Sequence, residues 1–184
     1  MRYFIGFLIT VGLVILLIFL LFHGGGKSKL PLTPKTLVSY ATTNAEVRLT
    51  IDGPINADQL HQQIRITVDS TEVTYEQIQG YDGSVVSQQQ FASSQSAYDV
   101  FLHALSHAGF TQGDTSKTLI DERGYCALGD RYIFELRQDG NDIERYWATS
   151  CGKPKTYLGT LSLTLSLFQT QVPGYTDLTQ NVHL

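Results

Sequence analysis

Charged side chains are scarce in this chain, and basic ones are scarcest in its larger part. Asp, Glu, Lys and Arg make up 16% of the 184 residues, and the formal net charge is −4. The first 36 residues hold four basic side chains and no acidic one, so the remaining 148 hold 9 basic and 17 acidic side chains, a net charge of −8. Because a nucleic-acid-binding domain needs a basic footprint, we expect no nucleic-acid partner.

The sequence also lacks the motifs of common catalytic and nucleotide-binding sites. There is no GxSxG to mark a nucleophilic serine, and no GxxxxGK[ST] or GxGxxG to cradle a phosphate. The two cysteines form no CxxC, and no Cys/His spacing indicates a zinc site. We therefore predict that the protein is not an enzyme and carries no cofactor.

One long uncharged segment stands near the N-terminus, at residues 3–22. Sixteen of its 20 residues are Leu, Ile, Val or Phe. As a helix it is about 30 Å long, the thickness of the hydrocarbon core of a bilayer. A cleaved signal peptide has a shorter apolar region and a small-residue cleavage site. Residues 1–22 are therefore predicted to be a transmembrane anchor that contacts the lipid bilayer through residues 3–22, in a single-pass membrane protein.

Residues 23–36 are predicted to form a flexible basic linker. Three consecutive glycines end the apolar segment, and Lys27, Lys29 and Lys35 follow. Read literally, the positive-inside rule places the following domain in the cytoplasm. The short tail before the anchor and the two cysteines favour the opposite side, because disulfides persist outside the cytoplasm. We expect an extracytoplasmic domain, and the cytoplasmic alternative stays open.

Residues 37–184 are predicted to be one soluble α+β domain with an antiparallel sheet and two helices. Apolar and polar residues alternate at 47–52, 64–68 and 71–79, and 84–91 is a candidate short strand. A helix is predicted from Ser93 or Ser94 to Ala108, ended by Gly109. Its expected buried stripe consists of Ala97, Phe101, Ala104, Leu105 and Ala108.

The C-terminal part of the domain is predicted to hold a hairpin and a second helix. Strands at 131–137 and 143–148 flank Asp139-Gly140-Asn141, a strong hairpin turn. Residues 159–171 fit either a strand or a helix by periodicity, and their length favours the helix.

Cys126 and Cys151 are predicted to form a disulfide. They lie just outside the two hairpin strands, and the midpoint of their numbers falls within about one residue of the hairpin tip. In-register pairing places them almost opposite each other, at a separation that a disulfide can bridge. The alternative is two unpaired buried thiols.

Two sets of residues are candidate functional sites. Asp99, His103 and His107 recur every four residues on the predicted helix, a workable metal chelate, although a solvated polar face explains the same spacing. Tyr125 and Trp147 are candidates for an aromatic binding surface, and cross-strand packing of the hairpin is the alternative explanation.

Part of the chain resembles a motif series in uncharacterised single-pass envelope proteins of Saccharibacteria-type candidate-phylum bacteria. The matching stretches are Asp121-Glu-Arg-Gly-Tyr-Cys126, Arg131-Tyr-Ile-Phe-Glu-Leu136, Trp147-Ala-Thr-Ser-Cys151, Gly159-Thr160 and Leu167-Phe-Gln-Thr-Gln-Val-Pro-Gly-Tyr175. The resemblance covers about the last third of the chain. It implies a bacterial envelope protein, assigns no activity, and implies a helix after Gly159.

A second resemblance is to type IV pilins. Arg2, then Gly6-Phe7, an apolar helix, a sheet and a C-terminal disulfide are similar to that class and imply a pilin-like subunit. Two features depart from it: pilins carry Glu where Val11 stands here, and their helix continues where the glycines at 24–26 interrupt this one.

The sequence therefore predicts a membrane-anchored extracytoplasmic binding or assembly module of the bacterial envelope, with envelope proteins as possible partners. The alternatives are a pilin-like subunit and a metal-dependent enzyme that uses Asp99, His103 and His107.

Overall fold

The computed structural model describes residues 36–184 and, ahead of them, residue 12 alone. The predicted anchor at residues 3–22 and the predicted linker at 23–36 therefore lie outside the described residues, apart from Gly12 and Thr36. None of the helices in the described part is long and apolar enough to cross a membrane.

Six antiparallel strands form a single sheet in the order β4-β3-β2-β1-β5-β6. The strands are β1 (Ala45–Asp52), β2 (Gln62–Val68), β3 (Glu72–Gln79), β4 (Ser84–Ala92), β5 (Arg131–Gln138) and β6 (Asn141–Thr149). This confirms the predicted α+β class with an antiparallel sheet. The first four strands follow one another as a meander, and the β5–β6 hairpin then adds to the free side of β1.

Three α-helices complete the domain, one more than predicted. They are α1 (Gln95–Ala108), α2 (Leu161–Thr170) and α3 (Tyr175–Thr179). The side chain of Ser94 accepts a hydrogen bond from the Ala97 amide at the start of α1, and Gly109, with φ at 79°, ends it. The ambiguous segment after Gly159 is a helix. The third helix has five residues, too few for a helical periodicity to show in the sequence.

The buried side of α1 differs from the predicted stripe. Tyr98 and Leu102 are buried in place of Ala97, which is exposed, and Ala104, which is half-buried. The Tyr98 hydroxyl donates a hydrogen bond of 2.8 Å to the carbonyl oxygen of Ala45. This bond satisfies the polar end of the ring, so the large side chain lies in the core and the small alanines turn outwards.

The helices cover one face of the sheet, and the core lies between them. Alternate residues of the central strands supply the apolar face, among them Leu49 of β1, Ile66 of β2 and Phe134 of β5, each at most 1% exposed. Phe101 of α1 packs edge to face on Phe168 of α2, with ring centroids 5.3 Å apart. Because side chains alternate along a strand, the polar residues between these core positions lie on the opposite face, away from α1, α2 and α3.

Candidate functional site: an arginine-lined cavity

The face of the sheet away from the three helices carries rows of charged side chains on neighbouring strands. Along β1 and β5 the paired residues are Asp52 with Arg131 and Arg48 with Glu135. Arg145 of β6 lies opposite Glu135 in turn. On this face, therefore, opposite charges stand side by side across the strands, an arrangement that stabilises antiparallel pairs.

A cavity of about 440 Å³ lies on this face. Side chains of β1, β2, β5 and β6 form its floor, and segments outside the strands form two walls. Glu122, Arg123 and Gly124 contribute to one wall, and Ile55 and Tyr81 to the other. Five of the six arginines that follow residue 36 line this cavity: Arg48, Arg65, Arg123, Arg131 and Arg145.

Residues 119–130, here called the wall loop, are fastened to β6 at one end. Arg145 Nη2 lies 2.7 Å from Glu122 Oε1. The indole Nε1 of Trp147 donates to the carbonyl oxygen of Leu119 over 2.7 Å. The wall loop is therefore fixed over the sheet by two side chains from the edge strand.

The predicted disulfide between Cys126 and Cys151 is confirmed, and it fastens the other end of the wall loop. The Cα atoms are 5.8 Å apart. As predicted, both cysteines lie outside the hairpin strands. They are not register partners, however, because Arg131 pairs with Thr149, and extending that register would place Cys151 opposite Gly129. A turn closed by the hydrogen bond from Gly129 N to Cys126 O, 3.1 Å, brings Cys126 back to its partner.

The two walls meet beside the disulfide. The amide of Ile55 donates a hydrogen bond of 2.8 Å to the carbonyl oxygen of Ala127, which follows Cys126 directly. The disulfide therefore lies next to a contact between the wall loop and the wall of Ile55 and Tyr81. In this way the covalent cross-link and the shape of the cavity are connected.

A buried ionic cluster lies in the floor of the cavity. Arg131 is 2% exposed, and its Nε and Nη2 each lie 2.7 Å from Oδ2 of Asp52. The other carboxylate oxygen of Asp52 is 2.8 Å from Nε2 of His61, which is fully buried. The His61 ring stacks on Tyr81, with centroids 4.0 Å apart. Asp52 therefore joins two buried nitrogen-bearing side chains at the foot of the Tyr81 wall.

Four buried polar atoms of the cavity residues make no hydrogen bond within residues 36–184. Two are donors, Nη1 of Arg131 and Nε of Arg65, and two are acceptors, Oε2 of Glu122 and Oδ1 of Asp52, whose contact with His61 does not have hydrogen-bond geometry. A buried polar group without a partner costs free energy, more when it is charged. Each of these atoms would therefore gain a hydrogen bond from a ligand that places a suitable polar group in the cavity.

Burial shifts the pKa of two charged groups in the floor. It lowers the pKa of the Arg48 guanidinium, and the positive charge of Arg137 lowers it further. Burial also raises the pKa of the Glu135 carboxyl, with Asp142 adding to the effect. Both groups therefore sit where water screens charges poorly, so that interactions with a bound ionic group are stronger than on an open surface.

The predicted aromatic surface of Tyr125 and Trp147 needs correction. Trp147 is 1% exposed, and Tyr125 is half-buried and stacks on it with ring centroids 5.4 Å apart. The pair therefore packs the wall loop against β6, and Trp147 has no face open to a partner. The indole is buried because its single donor finds the carbonyl oxygen of Leu119.

Asp99, His103 and His107 lie on the outward side of α1. Asp99 Oδ2 and His103 Nε2 are 4.0 Å apart, and their side chains are about half exposed. Across residues 36–184, the His, Cys, Asp and Glu side chains form no group of three or more that could hold a metal ion.

Sequence reasoning did not identify the arginine-lined cavity. Its arginines are separated by as many as 97 positions, from Arg48 to Arg145. The available signal was the kind of polar residue that alternates with the apolar ones. In β1 and β5 most of these positions hold Arg, Asp or Glu. A face in open contact with water does not need opposite charges paired across its strands.

Comparisons with known proteins give no assignment. No family model matches the chain, and no curated protein matches it either. The resemblances to envelope proteins and to pilins therefore remain predictions.

Proposed function

We propose that this protein is a membrane-anchored binding module of the bacterial envelope, with residues 3–22 as the anchor. Its domain stands on the outer side of the cytoplasmic membrane and binds a small polar ligand, or the polar end of a larger one, in the arginine-lined cavity. The role is non-catalytic, and the ligand is a component or partner of the envelope.

The observation that carries this proposal is the fixed arrangement of the cavity. Its volume falls in the range of small-molecule sites. Its side chains are held before any ligand arrives: Arg131 by Asp52, Arg145 by Glu122, and Arg65 by Glu76 at 3.4 Å. Binding to such a site orders few side chains, which reduces the entropic cost of association.

The disulfide supports the extracytoplasmic location. Disulfides persist in oxidising compartments and are rare in the cytosol. Here the cross-link also fixes the wall loop, so that an oxidising environment and an intact cavity go together.

A cavity-filling substitution tests the binding function. Thr50 lies in the floor and is 9% exposed, so Thr50→Phe places a ring in the cavity. The full-length protein in detergent is screened against amino acids, organic acids and sugars by thermal unfolding without reductant. Compounds that stabilise the wild type should lose this effect in Thr50→Phe.

The matched control for that screen is Val100→Phe, at a position of α1 that is 68% exposed and outside the cavity. This variant should respond to the same compounds as the wild type. Stabilisation that survives Thr50→Phe, or the absence of any stabilising compound, would contradict the proposal.

A further inference from the structure

We infer that the arginine-lined cavity binds an organic oxyanion, with a carboxylate or phosphate on the arginine floor and an apolar body against the Tyr81 wall. This inference rests on the proposed binding function and specifies the chemistry of the ligand. It commits to the sign of the charge and to the surface of the cavity, floor or wall, that each part of the ligand contacts.

The charge of the lining is opposite to that of the domain around it. Five guanidinium groups stand against three lining carboxylates, Asp52, Glu122 and Glu135, whereas residues 37–184 as a whole carry a net charge of −8. Arginines collected in one concave place on an acidic domain raise the local concentration of anions there. The planar guanidinium also matches the geometry of carboxylate and phosphate oxygens.

Arg131 is the strongest single argument for an oxyanion. Asp52 neutralises its charge through Nε and Nη2, and Nη2 also donates to the carbonyl oxygen of Gly53. Nη1 has no such partner among the described residues, although the side chain is 98% buried. Arg65 Nε also lacks a partner, although its side chain as a whole is 29% exposed. Two buried N–H donors, on β5 and β2 at either side of β1, therefore call for an acceptor, while Glu122 Oε2 and Asp52 Oδ1 are open to a donor.

One wall of the cavity is suited to an apolar body. Ile55 and Tyr81 form that wall and are 45% and 51% exposed, and Ile133 of the floor is buried. The Tyr81 ring is held flat against His61, which leaves its orientation fixed. Since the volume far exceeds that of one oxyanion, a ligand that fills it has a ring or short chain beyond its charged group.

Matched aromatic probes test this inference. Benzoate, benzamide and benzylamine have nearly the same shape and carry a negative, a neutral and a positive head. Each is titrated into the oxidised full-length protein in detergent, and binding is followed by the fluorescence of Trp147, the single tryptophan. Trp147 lies opposite the floor residue Ile133 across β5 and β6, so it reports on the cavity. Benzoate should bind at least about tenfold more tightly than benzamide, since hydrogen bonds to charged groups are worth that much, and benzylamine most weakly.

Phenyl phosphate and acetate distinguish the possible forms of the ligand. Tighter binding of phenyl phosphate than of benzoate would assign the site to phosphate esters, and the reverse would assign it to carboxylic acids. Acetate lacks the ring, so it should bind more weakly than benzoate if the apolar wall contributes as we infer.

Two variants test whether benzoate binds in the cavity. Arg65→Gln removes a floor cation that is partly exposed, and it should weaken benzoate binding about tenfold. Arg137→Gln makes the same change in charge on a residue that does not line the cavity, and it should weaken benzoate binding much less than Arg65→Gln does. Arg131→Lys is the more direct change but risks misfolding, so the test does not depend on it.

The outcomes separate this inference from the proposed function. If benzamide or benzylamine binds as tightly as benzoate, and Thr50→Phe abolishes that binding, the cavity is a binding site but the oxyanion inference is wrong. If none of the three binds at about 10 mM, on the order of the weakest affinities that matter here, the oxyanion inference is wrong, and the proposed function is also wrong only if the screen of amino acids, organic acids and sugars finds no stabilising compound. Equal effects of Arg65→Gln and Arg137→Gln would also overturn the inference.

Discussion

Asp52 and Arg131 face each other across β1 and β5, and two contacts of 2.7 Å join the carboxylate Oδ2 to the guanidinium. The arginine is 2% exposed, so this ion pair is nearly removed from water. It lies on the face of the sheet away from the helices, in the floor of the arginine-lined cavity. The pair therefore belongs both to the stability of the sheet and to the candidate site.

Removing one member of this pair should destabilise the fold strongly. Asp52→Asn leaves the Arg131 charge buried without its counter-charge, and we expect the free energy of unfolding to fall by about 3–5 kcal/mol. Urea unfolding followed by circular dichroism measures this change. The double variant Asp52→Leu/Arg131→Met should lose less than Asp52→Asn alone, because it leaves no unpaired charge.

The exposed ion pair of Asp121 and Arg123 is the control for that prediction. Arg123 is 84% exposed on its side chain, and water screens the pair fully. Asp121→Asn should therefore leave the unfolding midpoint unchanged. A loss in Asp52→Asn as small as in Asp121→Asn would show that the buried pair contributes little.

Reducing the disulfide should destabilise the domain and loosen the wall loop. The cross-link closes a loop with a sequence separation of 25. In the chain-entropy account, its loss lowers the free energy of unfolding by about 3–4 kcal/mol. Urea unfolding with and without reductant measures this, and Cys126→Ala/Cys151→Ala should match the reduced wild type. An unchanged midpoint on reduction would contradict the account.

Gly129 should not tolerate a side chain, because its surroundings are filled by the disulfide turn. A Cβ atom at this position would lie 2.3 Å from Ser150 Oγ and 2.9 Å from Cys126 Sγ. We expect Gly129→Ala to lower the free energy of unfolding by about 1–3 kcal/mol, as overpacking does. In a Ser150→Ala background the closest contact is gone, so the same substitution should cost less. An identical cost in both backgrounds would rule out this contact as the cause.

The stability of the domain should fall at alkaline pH because its tyrosines are buried. Burial first, and Asp130 second, raise the pKa of Tyr132 from 10.0 to about 12, and burial also raises the pKa of Tyr98. Since the unfolded chain loses these protons first, the stability they contribute is present below about pH 10 and is lost as the pH rises towards 12. Urea midpoints at pH 8 and pH 11 should therefore differ less in Tyr132→Phe than in the wild type. Equal differences in the two proteins would contradict this assignment.

The predicted strands follow from local periodicity, whereas the burial of individual side chains does not. Val47, Leu49 and Ile51 alternate with polar residues, and this pattern specifies a strand with one core face whatever its neighbours are. The stripe of α1 is different, because Tyr98 is buried through a hydrogen bond to Ala45, more than 50 positions away. A local pattern does not contain that partner.

The candidate site could not be predicted from the sequence for the same reason, because it depends on partners that are distant along the chain. The hairpin was enough to bring Cys126 and Cys151 to the same end of two adjacent strands, although the turn that places them in contact lies outside the strand register. The cavity instead requires the strand order that places β5 beside β1, and this order brings Arg131 to Asp52 and Arg48 to Glu135. The burial of Trp147 could not be predicted from local sequence either, because an aromatic residue on an edge strand is compatible with an exposed or a buried position. It is the wall loop that buries this side chain.

The central claim is that the domain is extracytoplasmic and that a disulfide holds its binding cavity. The redox state of Cys126 and Cys151 in the cell tests this claim most directly. Cells that produce the full-length protein are lysed in the presence of an alkylating reagent, and the intact mass is read without reductant. We predict that neither cysteine is alkylated and that the two are linked to each other. Two alkylated cysteines would place the domain in the cytoplasm and contradict the account.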